Sequence, residues 1–337
     1  MLAKRNPHLD RVLVTGGAGY VGAVLVPELL SVGYAVTVLD LYIFGQDALA
    51  DVRTNDRLRE ITGDIRNPAT VASAMEGCDA VIHLACISND PSFELNPELG
   101  KSINLEPFVP MVRAAKDAGV KRFVYASSSS VYGVKGDEEV IETLSLEPLT
   151  DYSRFKADCE ALLDKEREPG FVTVTIRPAT VCGYSPRQRL DVVVNILTNL
   201  GHNKGEILVL GGSQLRPNLH IKDMAAAYIE LLAADDEKVD GKVFNAGYEN
   251  HSVMQLAEMV KRNVGDHVSL RLEPTNDLRS YHVSSAKIRD ELGFEPSHSI
   301  EQAVQDLVTA FKAGRLPDSL EHPRYFNIKK MQEIDLS

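Results

Sequence analysis

Thr15-Gly16-Gly17-Ala18-Gly19-Tyr20-Val21-Gly22 follows the β-rich run Arg11–Thr15 and opens an apolar-periodic stretch, Val21–Val32. Glycines between a strand and a helix let the backbone approach a pyrophosphate, because no Cβ stands in the way. The amino-terminal N–H groups of the helix then point at the anion. The spacing is Gly16-x-x-Gly19-x-x-Gly22, with Tyr20 and Val21 at the helix entrance. A tight turn alone also uses glycine, so the flanking sequence decides the reading.

Working outward, Tyr34–Asp40 repeats the strand signal and ends on an acid. Asp40 stands about 20 residues beyond the loop, where a carboxylate accepts hydrogen bonds from both adenosine ribose hydroxyls. It would repel a 2′-phosphate, and no arginine lies just before or after it, so the expected cofactor is NAD and not NADP. A strand-ending aspartate capping a turn is the plainer alternative. Gly63-Asp64-Ile65 closes the third strand, with Asp64 facing the adenine amine or capping the next helix.

Strand signals recur at Arg59–Thr62, Ala80–Leu84, Arg122–Ala126 and Val172–Ile176. Helical patterns lie between them at Pro68–Glu76, Pro97–Ala118 and Tyr152–Glu168. Such alternation predicts an α/β fold, a Rossmann-type doubly wound parallel sheet. Past Pro178 the rhythm loosens. Helices are expected at Leu190–Leu200, Asp223–Ala234, Ser252–Val264, Ser284–Leu292 and Ile300–Ala313, and strands at Ile207–Leu210 and Val243–Asn245. The expected division is a cofactor domain, 1–181, with elements returning near 219–247, and a smaller C-terminal α/β substrate-binding lobe, 182–337. Asp235–Lys238 and Pro274–Asp277 read as surface connections.

Composition excludes several classes. The chain has 44% hydrophobic and 25% charged residues, enough for a full core, and a net charge of -12. That balance, with no lysine or arginine block, argues against nucleic acid or an anionic membrane as partner. Cys78, Cys86, Cys159 and Cys182 are scattered and read as thiols of a reducing compartment. Met1–Asp10 is polar, unlike a signal peptide, and no apolar run approaches the roughly 20 residues of a membrane helix. A soluble, cytoplasmic protein is expected. His83 and His220 have no second ligand at useful spacing, so no metal is expected.

Tyr152-Ser153-Arg154-Phe155-Lys156 sets a phenol and an ammonium one helical turn apart. A phenol with pKa near 10 is a poor base at neutral pH. A lysine on the same face lowers that pKa and can also hold a ribose. Upstream, Tyr125-Ala126-Ser127-Ser128-Ser129-Ser130-Val131-Tyr132-Gly133 places hydroxyls at a strand end, where they can orient a substrate oxygen or simply satisfy their own loop.

With these in order, the sequence resembles the extended short-chain dehydrogenase/reductases, in particular the NAD-dependent sugar-nucleotide epimerase/dehydratase group. The landmarks are Thr15–Gly22, Asp64, His83-Leu84-Ala85, Asn104, Ser127–Gly133, Tyr152–Lys156 and Arg177-Pro178-Ala179-Thr180. Arg216-Pro217-Asn218-Leu219-His220-Ile221-Lys222-Asp223 and Arg279–Leu292 follow. The resemblance implies that Tyr152 is the general acid/base, Lys156 its electrostatic partner and ribose ligand, and Ser128 the hydroxyl that polarises the reacting oxygen. Ser127 and Ser129 stay open for that last role. It further implies that Leu84, Ala85 and Asn104 belong to the cofactor path, and that Pro178, Ala179 and Thr180 flank the nicotinamide. Candidates for the substrate are Asn195, Arg216 and Arg279 at the nucleotide and Asn89 at the sugar.

Dehydratases of this group carry Thr-Asp-Glu where this chain has Ser128-Ser129-Ser130. Serines replace an acid and a base poorly, so elimination is disfavoured. A sugar-nucleotide 4-epimerase working through a transient keto sugar is expected, with a 4-dehydrogenase or ketoreductase as the alternative. Thr180–Asn195 is similar to a subgroup associated with bacterial surface-polysaccharide sugars, heptose-nucleotide dehydrogenases among them. A non-catalytic NAD-sensing protein is the rival from another class; intact Ser128, Tyr152 and Lys156 speak against it. Relatives pair two long helices across protomers, so Pro97–Ala118 and Tyr152–Glu168 imply a homodimer.

Overall fold

The computed structural model describes residues 5–88, 95–136, 138–275 and 282–334. In strand β1 (Arg11–Thr15), Val12 and Val14 enter the core on one face of the sheet and Leu13 enters on the other. That two-sided burial explains the unbroken apolar run, the mark of a central parallel strand. The other early strands are β2 (Ala35–Asp40), β3 (Leu58–Thr62), β4 (Ala80–His83), β5 (Arg122–Ala126) and the two-residue β6 (Glu139–Val140). β7 (Val172–Pro178), β8 (Thr180–Cys182), β9 (Glu206–Leu210), β10 (Leu215–His220) and β11 (Lys242–Ala246) follow, of which β7 and β11 complete the main sheet. Its seven strands run β3-β2-β1-β4-β5-β7-β11, all parallel, with Val14 beside Val38 of β2 and Ile82 of β4. The order reverses between β1 and β4. At that switch point the carboxyl ends of the strands diverge and leave a crevice.

Helices α1 (Gly22–Val32), α2 (Pro68–Met75), α3 (Pro97–Asn104), α4 (Phe108–Asp117), α5 (Asp151–Lys165), α6 (Val193–Lys204) and α7 (Ile221–Ala233) follow in chain order. Leu25, Val26 and Leu29 of α1 share one core with Met224, Tyr228 and Leu231 of α7. Val71 of α2, Met111 and Val112 of α4 and Cys159 and Leu163 of α5 form the core on the opposite face. The expected single helix over 97–118 is two helices. Pro107 has no N–H to continue the ladder and its ring opposes the preceding turn, so the chain breaks at residues 105–107. Asp236–Val239, expected as a connection, forms the short helix α8.

Later elements are β12 (Glu249–Ser252), α9 (Val253–Val264), β13 (Ser269–Glu273), β14 (His282–Val283), α10 (Ala286–Leu292), α11 (Ile300–Lys312) and α12 (Asn327–Glu333). A three-stranded sheet, β12-β10-β8, and the pairs β13-β9 and β14-β6 accompany the main sheet. α6, α9 and α11 enclose a separate core around Val194, Leu256, Val260, Ala303 and Val304. Capping boxes Ser252/Gln255 and Ser299/Gln302 fix where α9 and α11 begin. Among the described residues, no helix is long and apolar enough to cross a membrane.

Candidate active site

The crevice at the switch point is a cavity of about 420 Å³. Gly16, Gly19, Tyr20, Val21, Gly22, Asp40, Asp64, Ile65, Leu84 and Ala85 line it, and so do Ser128, Tyr152, Lys156, Pro178 and Thr180. Gly16 has φ +72°, and a Cβ there would stand 2.7 Å from the amide nitrogen of Ala85. The loop therefore lies directly against the end of β4, which only glycine permits. Val21, just before α1, gives the helix no side-chain cap. Ala23 N and Val24 N already bond the carbonyls of Gly19 and Val21, so among the described residues Gly22 N is the first-turn amide left to meet an anion.

Asp40 holds that loop in place. Its Oδ2 accepts from Ala18 N at 3.0 Å and its Oδ1 from Tyr42 N at 2.7 Å. Burial pushes its carboxyl above the ordinary range, against the opposing pull of those amides. Asp64 is bound by its neighbour: Arg66 Nη2 lies 2.7 Å from Oδ2 and Arg66 N donates to Oδ1 at 2.8 Å. Burial would raise this carboxyl, but the hydrogen bonds and charge of Arg66 outweigh it and hold it low. Asp64 thus presents a fixed, ionised group at the end of β3.

At the other end, Lys156 is 5% exposed and donates from Nζ to the carbonyl of Ala126 at 2.6 Å. The same ammonium lies 5.9 Å from the centre of the Tyr152 ring and 5.2 Å from that of Tyr125. One charge thereby ties α5 to the end of β5 and sits beside the phenol of Tyr152. The four serines are not equivalent. Ser127 donates a hydrogen bond to Glu160, and Ser129 is buried at 3% exposure. Ser128 Oγ lies 2.9 Å from Ser130 Oγ and accepts from Ser130 N at 3.1 Å.

Two predicted residues support the cavity from outside its wall. Asn104 accepts from Ile87 N at 2.8 Å and donates to Ile87 O at 2.9 Å, fixing the loop after β4. Asn195 is fully buried: it accepts from Gly183 N at 3.0 Å and donates to Tyr20 Oη at 2.9 Å and to the Arg189 carbonyl at 2.8 Å. Arg216 stands on β10, outside the described lining, where its Nη1 donates to the Leu215 carbonyl at 3.1 Å. Asn89 and Arg279 lie outside the described residues.

His83 and Thr15 are hydrogen-bonded at 2.7 Å, and burial, reinforced by Lys156, pushes the imidazole down to about 3. It is a neutral core histidine. No group of three potential metal ligands occurs among the described residues. Sequence reasoning missed Phe44, Ser88, Arg187, Arg189, Asn327 and Met331 in the lining. It also missed Glu160, although Tyr152, Lys156 and Glu160 repeat every four residues on α5.

With this geometry in hand, the likenesses to known proteins take on meaning. The model of the NAD dependent epimerase/dehydratase family matches residues 12–247, and the chain belongs to that family. It is 27% identical to a UDP-glucose 4-epimerase of Lactobacillus helveticus over 341 residues, covering 95% of this chain and 100% of the relative. The crystal structure of a dTDP-glucose 4,6-dehydratase from Streptomyces venezuelae with NAD and TYD bound superposes with TM-score 0.82 at 26% identity, covering 93% and 99% of the two chains. The UDP-glucose 4-epimerase of Thermotoga maritima, with UDP-glucose, gives 0.81 at 25% identity over 92% and 100%. The chain is therefore an NAD-dependent enzyme of the epimerase/dehydratase type. The residues present fit the cofactor, since the backbone cradle at Gly16 has no room for a side chain and α1 enters it uncapped.

Proposed function

We propose that this chain is a sugar-nucleotide 4-epimerase that works through a transient 4-keto sugar. The observation that carries the reading is where the acids stand. Asp40 and Asp64 are the carboxylates of the described lining, and both sit at the ends of β2 and β3. Around Tyr152 the wall offers serine hydroxyls and Lys156. Elimination of water from a sugar calls for a carboxylic acid at the leaving hydroxyl, whereas epimerisation needs one proton acceptor and donor.

NAD, when bound, supplies the acceptor and donor of the hydride at the sugar carbon. Tyr152 takes the proton from the sugar hydroxyl and returns it. Lys156, held by the Ala126 carbonyl, keeps a positive charge beside that phenol and favours its ionised form. Ser128 donates to the reacting oxygen as charge develops on it, with Ser130 directing its hydroxyl. Ser128 is preferred over Ser127, which Glu160 engages, and over Ser129, which is more buried than Ser128.

In this reading residues 1–181, with the returning 219–247, carry the cofactor and 182–337 carry the sugar nucleotide, helped by Asn195 and Arg216 and by Asn89 and Arg279. The role is in bacterial surface-polysaccharide sugar synthesis, in a reducing cytoplasm where the four free cysteines stay thiols. A homodimer pairs α3, α4 and α5 with their copies, which sedimentation would test.

The test is a panel of UDP-, dTDP-, GDP- and CDP-sugars with the product sugar identified by NMR. Conversion to the 4-epimer without net NADH is expected. Stoichiometric NADH with a released ketone would replace the reading by a 4-dehydrogenase. No turnover and no transient NADH on any member would remove it.

A further inference from the structure

Between β8 and α6 the chain carries two arginines that the catalytic residues do not account for. Arg187 is 4% exposed and lines the cavity. Its Nη2 donates to Asn327 Oδ1 at 2.7 Å, and its guanidinium lies 3.5 Å from the centre of the Phe44 ring. Its Nε and Nη1 are buried with no partner among the described residues. Arg189 also lines the cavity; its Nε donates to Asp191 Oδ1 at 2.8 Å, its Nη1 reaches Ser88 Oγ at 3.4 Å, and its buried Nη2 has no partner among the described residues.

Tyr20 fixes where these cations stand. Its phenol donates to the Gly183 carbonyl at 2.8 Å and accepts from Asn195, and Ser185 Oγ donates to the Tyr20 carbonyl at 2.8 Å. The segment bearing Arg187 is thus bonded to the glycine loop itself. Asp40, Tyr20, Arg189 and Asp191 all lie within electrostatic reach of the Arg187 guanidinium. It shares the cavity lining with Asp40 and with Tyr20 of the glycine loop.

A buried guanidinium with two idle donors and a second arginine beside it is costly unless an anion pairs with it. Burial, and then the charge of Arg189, push Arg187 below the ordinary arginine range, by more than Asp191, Asp40 and Tyr20 raise it. We propose that Arg187 and Arg189 grip the diphosphate of the dinucleotide from the lobe side of the cleft, completing a site whose other half is the glycine loop. The inference rests on the family's use of NAD and is independent of which sugar is turned over.

Titration of the full chain, freed of bound nucleotide, with NAD, ADP and adenosine tests it. Arg187→Gln should weaken NAD and ADP by about 10- to 100-fold, the worth of hydrogen bonds to a charged group, and leave adenosine within about threefold. Unchanged affinity for NAD and ADP would overturn the proposal and leave the substrate's own diphosphate as the anion served. Parallel weakening of adenosine would overturn it in favour of a packing role through Asn327 and Phe44. Arg187→Lys keeps a charge but loses the fork, so it answers even if the glutamine variant fails to fold. Its NAD affinity should fall about 3- to 10-fold, and wild-type affinity would count against the grip.

Discussion

Glu160 and Arg177 form a two-pronged ion pair behind the serine-rich strand end, with Nη2 2.6 Å from Oε2 and Nε 3.0 Å from Oε1. Both side chains are buried, at 8% and 6% exposure. Each also holds one end of the serine segment: Glu160 accepts from Ser127, and Arg177 donates to Tyr132 Oη at 2.7 Å. The pair therefore joins α5, which carries Tyr152 and Lys156, to β7 and to the hydroxyls that face them.

Glu160→Ala strands the Arg177 guanidinium in the interior. A loss of about 3–5 kcal/mol in urea unfolding is expected, the scale of a buried pair broken on one side. Glu160→Ala with Arg177→Met should recover much of it, because no uncompensated charge then remains. A double variant as unstable as the sum of its singles would show that the two residues do not act as a pair.

Tyr152→Phe removes the proposed proton carrier and leaves the ring. If the proposed epimerisation holds, its rate should fall by about 10²–10⁴-fold while NAD affinity stays within a few-fold of wild type. Rate and calorimetric binding together check this. A rate within tenfold of wild type would move the proton to another group.

How much of this was legible in sequence follows from which contacts are local. The strand–glycine–helix unit and the Tyr152/Lys156 pair are set by spacing within one element, so both were readable. Glu160 sits one further turn along the same face, but its meaning depends on Arg177 from another strand. Arg187, Phe44 and Asn327 meet from three distant segments, and no periodicity announces such a meeting. Asn195 and Asn104 read in sequence as ligand contacts, and in this structure their amides bond Tyr20, Gly183 and Ile87. An amide's type is visible in sequence, whereas its partner is fixed by packing. The break after Asn104 has a local mark in Pro107, whose missing N–H cannot continue the helix.

Gly16→Ala should be far worse than a glycine-to-alanine change elsewhere on the surface. The new Cβ meets Ala85 backbone atoms at 2.7 and 2.9 Å, in a left-handed conformation that alanine resists. A strain of about 1–2 kcal/mol from the conformation alone is expected, with the clash added. Gly33, also left-handed, has open space at its Cβ and serves as the control. Gly33→Ala should lose some stability and keep NAD binding, whereas Gly16→Ala should lose both. Equal NAD affinity in the two variants would mean that the close approach to Ala85 is not what shapes the cradle.

Glu166, at the end of α5, receives Arg113 Nη2 at 2.7 Å and Lys116 Nζ at 2.8 Å, both from α4. The hydrogen bond from Arg113, then that from Lys116, hold its carboxyl at about 2, against an ordinary 4.5. Because the folded value lies below the unfolded one, the stabilisation is complete above pH 4.5 and is lost as pH falls toward 2. Glu166→Gln cannot ionise and has no such window. The difference in melting temperature between wild type and Glu166→Gln should be largest near neutral pH, shrink below about 4.5 and vanish near 2. Arg113 is 65% exposed, so added salt should reduce the difference at neutral pH as well. A difference that stays constant through the acid range would show that the glutamate acts by packing and not by charge.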